Sequence, residues 1–367
     1  MKKGLYIHIP FCVKKCLYCD FVSKPNCESE FDGYISAVLN EAEEYRGERI
    51  DSVFIGGGTP TVLNANQLER LLNGINKAFI VDSDAEITCE SNPGTLDGEK
   101  IKALHSGGVN RMSVGVQSFN DNELKIIGRI HSADEAYNTV CEIKSHGIDN
   151  INIDLMTALP SQTPKSLANT LSRAVGLPIT HISAYSLIIE DGTPLEREYS
   201  SGRLIIPDED TDREMYHDTV AFLEKNGFIQ YEISNFSKTG FRCRHNLKYW
   251  DCDEYIGLGV SAHSYIGNKR FSNSSDIGEY MADNKREYTE ILHSDKISEF
   301  MMLGLRKTSG ISAAEFKRRF GTDIKSVFSE QIKRFINLGL MEQKGDNYRL
   351  TKRGIDVSNS VMCEFIL

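Results

Sequence analysis

Strand and helix patterns alternate over the first half of the chain, and this order restricts the possible folds more than any other feature. Short apolar, β-rich runs predict six strands, at residues 5–9, 51–55, 86–89, 111–116, 151–156 and 181–189. Apolar residues at helical spacing predict the intervening helices, at residues 31–45, 68–79, 101–105, 133–146 and 164–175. Because consecutive strand–helix units form parallel sheets with helices outside, we predict an α/β fold.

Two architectures fit such a series of units, a doubly wound sheet and an incomplete (β/α)6 barrel. In both, ligands bind at the carboxyl ends of the strands. A polar or glycine-rich motif follows each of the first five predicted strands, rather than one or two of them. This distribution favours the incomplete (β/α)6 barrel.

The second half of the chain has a different pattern. Residues 208–227 form a predicted amphipathic helix, and a mixed segment follows to about residue 273. Predicted helices at 313–320 and 324–338 then precede a predicted hairpin at 340–350, which is a winged-helix pattern. We therefore expect three domains: a partial barrel over residues 1–190, a mixed α/β extension over 191–294 and a winged-helix-like C-terminal domain over 295–367.

Composition narrows the class of protein. The formal net charge of −10 argues against nucleic acid as the main ligand, because phosphate binding needs clustered Lys and Arg. No apolar run is long enough to span a bilayer, and the first residues lack a signal peptide's apolar core, so we expect a cytoplasmic protein. In that reducing compartment the nine cysteines indicate metal binding or catalysis rather than disulfides.

Three of these cysteines form a C-x3-C-x2-C motif directly after the first predicted strand, at Cys12, Cys16 and Cys19. Soft thiolates suit iron–sulfur clusters, and three of them would leave one iron of a [4Fe-4S] cluster open for a ligand. A zinc site is the alternative, although zinc prefers paired C-x2-C knuckles and a fourth ligand. Cys27 is the nearby candidate for that fourth position.

Further polar and glycine-rich residues follow the next strands. Gly56-Gly57-Gly58-Thr59-Pro60-Thr61 follows the second predicted strand and exposes backbone to a close ligand. A buried charge inside a strand is costly unless it is paired or bound to a ligand. The polar residues that end or lie in the third to fifth strands, with a nearby arginine that could reach a carboxylate, are Glu90, Gln117, Asp154 and Arg129. Together they predict one binding site at the barrel mouth.

The cysteine motif on the first loop of a partial β/α barrel resembles the radical SAM family. That resemblance implies a [4Fe-4S] cluster whose open iron binds S-adenosylmethionine (SAM) and whose electron can cleave it to a 5′-deoxyadenosyl radical. A narrower resemblance, to the oxygen-independent coproporphyrinogen III oxidase group, lies in Tyr6-x-His8-x-Pro10-Phe11-Cys12, Gly115-Val116-Gln117, Asn152-Ile153-Asp154-Leu155 and Gly257-Leu258-Gly259-Val260-Ser261-Ala262. It implies SAM contacts at Tyr6, Tyr18, Gly57, Gly58, Thr59, Glu90, Gln117, Arg129, Asp154, Ser186 and His263.

Two branches of this group differ in sequence. The oxidases resemble one another in an N-terminal extension and a fourth cysteine two residues after the third, whereas Cys19 is followed here by Asp20-Phe21. The segment His245-Asn246-Leu247-Lys248-Tyr249-Trp250 resembles the H-N-x-x-Y-W element of the haem chaperones of the group. The resemblance implies haem contacts at His245, Asn246, Tyr249 and Trp250, since imidazole binds iron and aromatic rings suit a porphyrin.

The chaperone resemblance implies haem as bound cargo and acceptor haemoproteins of the respiratory chain as partners. It also implies an electron donor such as flavodoxin or ferredoxin if SAM is cleaved, and it is compatible with peripheral membrane association and with a homodimer. The main alternative is a coproporphyrinogen III oxidase, which converts propionates to vinyls by radical decarboxylation. A radical methyltransferase and a DNA-binding regulator acting through the winged helix are further alternatives, and the net charge of −10 opposes the last.

Overall fold

A computed structural model describes residues 2–25 and 27–367 of the chain. Its strands are β1 (Lys3–Ile9), β2 (Phe11–Cys12), β3 (Lys24–Pro25), β4 (Arg49–Gly57), β5 (Ile80–Ser91), β6 (Arg111–Gln117), β7 (Asn150–Thr157), β8 (His181–Ser186), β9 (Ile229–Glu232), β10 (Asn235–Ser237), β11 (Tyr255–Leu258), β12 (His263–Ile266), β13 (Lys269–Ser272), β14 (Glu287–Glu290), β15 (Ile311–Ser312), β16 (Met341–Lys344) and β17 (Asn347–Leu350).

The helices surround these strands. They are α1 (Phe31–Glu43), α2 (Ala65–Ala78), α3 (Gly98–Ser106), α4 (Asp121–Ile126), α5 (Ala133–Ser145), α6 (Pro164–Val175), α7 (Pro194–Ser200), α8 (Glu209–Lys225), α9 (Arg244–Trp250), α10 (Ile277–Ala282), α11 (His293–Gly304), α12 (Ala313–Phe320), α13 (Ile324–Asn337), α14 (Lys352–Asp356) and α15 (Ser358–Cys363). No helix in the described ranges has the length and apolar character to cross a membrane.

Twelve strands of the described residues form one open sheet, in the order β14-β13-β12-β11-β1-β4-β5-β6-β7-β8-β10-β9. The strands from β11 through β1 to β8 pair in parallel, and antiparallel strands extend the sheet at both edges. The α/β fold with an incomplete β/α series is therefore confirmed. The mixed segment after α8 belongs to the same sheet as the preceding strands, because it supplies strands to both edges of that sheet.

Side-chain alternation gives the sheet two different faces. On β1 the side chains of Leu5, Ile7 and Ile9 are fully buried in the main core, whereas those of Tyr6 and His8 face the opposite, concave side. A second, separate core lies between residues 297 and 365 and includes Phe300, Phe316 and Phe328. The described residues thus have one large core on the helix-covered face of the sheet, a smaller core near the C-terminus and a third, small cluster that includes Leu159 and Leu195.

Most predicted elements are confirmed, and the differences have local causes. Helix α6 begins and ends at the predicted residues, because Thr163 caps it and Pro164 occupies its first position. The predicted hairpin is also confirmed, with Gly345 in its turn at a φ of 60°. Strand β5 begins at Ile80, earlier than predicted. The first half of the strand is polar and partly exposed, so the apolar pattern did not mark it. The short helix α4 was not predicted, because its six residues have no clear apolar period.

A buried carboxylate joins α1 to the extension of the sheet. Glu41 is 5% exposed and accepts hydrogen bonds from the Gly259 amide at 2.9 Å and the Tyr280 hydroxyl at 2.6 Å. Its other oxygen accepts from Asn273 at 2.8 Å and pairs with Arg286 at 2.9 Å. Because these partners come from residues after 258, this single side chain fixes distant parts of the chain to one another.

We expect Glu41→Ala to lower the free energy of unfolding by about 3 to 5 kcal/mol, because it removes the buried carboxylate that pairs with Arg286 and leaves the Gly259 amide and the Tyr280 hydroxyl without this acceptor. The matched control is Glu43→Ala, which removes an exposed carboxylate paired with Arg46 and should cost less than about 1 kcal/mol. Urea unfolding of both variants measures the difference. Equal losses would show that the Glu41 network does not hold the extension in place.

Candidate active site

A cavity of about 350 Å³ lies at the carboxyl ends of β1, β4, β5, β6 and β7. Because these strands are parallel, the polar residues that end each of them meet at one edge of the sheet. The structure brings twelve of the predicted site residues to its wall: Cys12, Cys16, Tyr18, Cys19, Gly57, Gly58, Thr59, Glu90, Gln117, Arg129, Asp154 and Ser186.

The cysteine loop is held against the sheet by backbone contacts. Strand β2, which contains Cys12, pairs with β3, and the Leu17 amide donates to the Ile127 carbonyl at 3.1 Å. Thr59 donates its hydroxyl to the Cys12 sulfur at 3.6 Å, and Arg129 donates to the Cys16 sulfur at 3.5 Å. Burial raises the pKa of the Cys12 thiol and raises the pKa of Cys19 to about 11.

Three thiols share the cavity wall, and thiolates are the donors that iron–sulfur clusters take. Among residues 2–25 and 27–367, no group of three or more His, Cys, Asp or Glu side chains converges on one point where a single metal ion could bind. A cubane cluster has a different requirement, since each thiolate binds a different iron. Cys27, the candidate fourth zinc ligand, lies outside the cavity wall and donates its thiol to the Pro25 carbonyl at 3.1 Å.

Gly58 lets the glycine-rich turn after β4 lie close to the cysteine loop. A Cβ atom on Gly58 would lie 2.6 Å from the Phe11 carbonyl oxygen, so no side chain fits there. The Gly58 amide instead donates to the Ile9 carbonyl at 2.9 Å, and the Thr59 amide donates to the Phe11 carbonyl at 2.7 Å. The glycine-rich turn thereby fixes the cysteine loop over the end of β4.

Two carboxyl groups face the cavity, Glu90 from β5 and Asp154 from β7, with β6 between these strands. Burial and the nearby Asp154 raise the pKa of Glu90 to about 7, although the Gly57 amide donates to Glu90 at 3.1 Å. Burial also raises the pKa of Asp154, which accepts a hydrogen bond from Asn152 at 2.8 Å. This pair offers acceptors for hydroxyl or amine groups of a bound ligand, and a cationic ligand would favour its ionised form.

Among the wall residues that were not predicted, Asn92 and Tyr185 make hydrogen bonds to predicted ones. Asn92 donates to the Thr59 hydroxyl at 2.7 Å and accepts from Arg129 at 2.5 Å, so it links the arginine to the glycine-rich turn. Tyr185 donates to the Gln117 side chain at 3.4 Å, next to a Gln117 backbone with a φ of 66°. Side-chain alternation along β8 could have identified Tyr185, because Ser183 and Tyr185 share its concave face.

Two predicted SAM contacts lie outside this cavity. Tyr6 and His263 line a neighbouring groove of about 350 Å³, together with Tyr249 of the predicted haem element. Phe21 lies in the wall of both the cavity and the groove. The structure therefore divides the predicted binding residues between two adjacent sites.

The predicted haem residue His245 is in the interior of the fold. It is 1% exposed and sits on α9, which covers the N-terminal ends of the strands, opposite the cysteine cavity. Its ring nitrogens are hydrogen-bonded to the Ser52 hydroxyl and to the Tyr249 hydroxyl, each at 3.0 Å. Burial lowers the pKa of His245 to about 3. Two other members of the element, Asn246 and Trp250, are half-buried and line neither the cavity nor the groove.

Comparison with known families agrees with this geometry. The family profile described as the radical SAM superfamily matches residues 6–174, and the one described as the HemN C-terminal domain matches residues 291–357. A protein of Lactococcus lactis named heme chaperone HemW is 38% identical over 99% of this chain and 97% of its own length. The chain belongs to the HemW family. An Escherichia coli protein with the same name is 33% identical to this HemW-family chain, over 99% of the chain and 98% of the relative.

A solved structure supports the fold of this HemW-family protein. Coproporphyrinogen III oxidase (HemN) from Escherichia coli, described as a radical SAM enzyme, superposes with a TM-score of 0.87. The superposition covers 100% of this chain and 90% of the other, at 24% sequence identity. At that identity the similarity concerns the fold alone.

In this HemW-family chain we expect Cys16→Ser to abolish the brown colour of anaerobically reconstituted protein, and any cleavage of SAM, because it removes one of the three predicted thiolate ligands. Iron content and the visible absorption spectrum measure the first effect, and product analysis measures the second. Cys363→Ser is the control, since Cys363 is exposed and lies outside the cavity. Normal cluster content in Cys16→Ser would contradict the cluster assignment.

Glu90→Gln should change the pH dependence of stability. The pKa of Glu90 is about 7 in the folded protein and lower in the unfolded chain, so the wild type loses stability as pH rises through this interval. The glutamine variant lacks that loss. The difference between the thermal midpoint of the variant and that of the wild-type apo-protein should therefore shift in favour of the variant from pH 5 to pH 8. A constant difference across that range would contradict the raised pKa.

Proposed function

We propose that this protein binds haem and delivers it to acceptor haemoproteins. The observation that carries the proposal is similarity over almost the whole chain, at 38% identity to one relative and 31% to another, with proteins named heme chaperone HemW. Proteins that are similar over almost their whole length commonly share a binding function, whereas the fold alone would not indicate it.

The proposal includes a [4Fe-4S] cluster on Cys12, Cys16 and Cys19 and a SAM molecule in the same cavity. Support comes from the thiols in the cavity wall and from the glycine-rich turn beneath them. When bound, the cluster supplies one electron for cleavage of a carbon–sulfur bond. We infer that Glu90 and Asp154 accept hydrogen bonds from SAM and that Arg129 and Asn92 hold the cavity wall in position.

We also infer a division of the chain into a partial barrel over residues 1–190, an extension over 191–294 and a winged-helix-like domain over 295–367. The separate core between residues 297 and 365 supports the last boundary. The free thiols of the nine cysteines, all in the described residues, support a reducing cytoplasmic location. The proposed partners are haemoproteins of the respiratory chain and a flavodoxin- or ferredoxin-like electron donor, with peripheral membrane contact and a homodimer as further hypotheses.

The test uses anaerobically reconstituted protein with a reductant, given haem in one sample and coproporphyrinogen III in another. We expect a saturable absorption change with haem, transfer of that haem to an added apo-haemoprotein, and no protoporphyrinogen. Chromatography of the porphyrins and absorption of the acceptor measure the two results. The cluster-free Cys16→Ser protein shows whether haem binding depends on the cluster.

Formation of protoporphyrinogen over many turnovers would overturn the chaperone proposal and establish the oxidase alternative. Failure to bind haem or to transfer it would also overturn the proposal. Haem transfer without decarboxylation would establish it.

A further inference from the structure

The groove beside the cysteine cavity has a wall rich in aromatic rings. Tyr6, Phe21, Tyr249 and Tyr255 line it, and the rings of Tyr249 and Tyr255 meet edge to face with their centroids 4.7 Å apart. Such a surface suits a flat, largely apolar ligand, because ring faces and edges give broad dispersion contacts. The groove is open, with a volume of about 350 Å³, so it would hold part of a macrocycle and leave polar substituents in solvent.

Two of the three histidines in and around this groove have no free ring nitrogen. His8 is hydrogen-bonded to the Tyr6 hydroxyl and to the Val22 carbonyl, each at 2.9 Å. His245 lies behind Tyr249 and is held by that tyrosine and by Ser52. Neither imidazole can reach an iron atom in the groove without breaking a buried hydrogen bond.

The groove tyrosines are also poor iron ligands. A tyrosine binds iron as its phenolate. Burial raises the pKa values of Tyr6, Tyr249 and Tyr255, and this keeps the three hydroxyls protonated. Their rings can still pack against a ligand.

His263 is the third histidine of the groove. It is exposed on the rim of the groove at the start of β12, and within residues 2–25 and 27–367 no hydrogen bond or ion pair involves its imidazole. The backbone beneath it is fixed, because β12 packs against Gly257 so closely that no Cβ atom would fit there, and the Ser264 hydroxyl accepts from the Gly257 amide at 2.9 Å. A free imidazole on a rigid strand is a good ligand for haem iron.

We propose that this groove is the haem site, with the His263 imidazole bound to the iron and the rings of Tyr249 and Tyr255 against the porphyrin. This inference rests on the proposed function and specifies where the cargo binds. His245 then acts as a positioning residue, since its imidazole holds the Tyr249 hydroxyl from behind at 3.0 Å. The open shape of the groove suits a ligand that must later be released.

The test is a titration of ferric haem into the full-length, anaerobically reconstituted protein, followed by absorption and electron paramagnetic resonance. His263→Ala should bind haem about 10-fold more weakly and lose the histidine-ligand spectrum, which added imidazole should restore. His293→Ala is the matched control, because His293 is also exposed but contacts Phe320, away from the groove. It should behave as the wild type.

His245→Ala separates positioning from ligation. It should weaken haem binding while the iron-ligand spectrum stays that of the wild type, and the cluster spectrum shows whether the variant is folded. Tyr249→Phe keeps the ring but removes the hydrogen bond to His245, so it should give a smaller loss of affinity with the same spectrum.

The outcomes separate this inference from the proposed function. If the wild type binds haem and His263→Ala keeps the wild-type spectrum and affinity, the groove assignment is overturned while the chaperone function stands. Loss of the ligand spectrum in His245→Ala but not in His263→Ala would overturn it in the same way. If the wild-type protein binds no haem, the proposed function and this inference both fail.

Discussion

A parallel sheet that stays open must cover its two edges and its concave face, and this requirement organises the rest of the chain. Antiparallel strands from the second half extend both edges. Helix α9 covers the N-terminal ends of the strands, where the Glu86 carboxylate accepts hydrogen bonds from the Arg244 and His245 amides, both at 3.0 Å. These amides belong to the first turn of α9, where an anionic partner is favoured. The opposite end of the sheet is left free for ligands.

Periodicity and strand order predicted the central parallel strands and the polar residues at their carboxyl ends, but not the strands that extend the sheet at both edges. Apolar alternation marks the strands, and parallel strands necessarily bring their carboxyl ends together, which is why Glu90, Gln117 and Asp154 lie in one wall. Asn92 was a weaker signal, since its role depends on the position of Arg129 across the cavity. A short sequence motif gives no information about such contacts between residues that are far apart in the chain.

The position of His245 is a clearer example of a contact that the local sequence could not predict. Its sequence context indicated iron or haem contact, but the direction of its side chain depends on how α9 packs against Ser52 and Glu86, which lie far away in the chain. The same packing carries Tyr249 to the groove wall. A motif can therefore identify a functional segment correctly without showing which of its residues reaches the ligand.

The segment after Cys19 has a consequence for how the two sites communicate. Phe21 is 62% exposed and forms part of both walls, and the adjacent Val22 carbonyl is hydrogen-bonded to His8 at 2.9 Å. A ligand that displaces Phe21 in one site alters the shape of the other. Thermodynamic linkage then requires that the effect be reciprocal: occupancy of the cavity changes affinity in the groove by the same factor as the reverse. Under the proposed function, SAM in the cavity and haem in the groove would therefore influence each other's binding through Phe21.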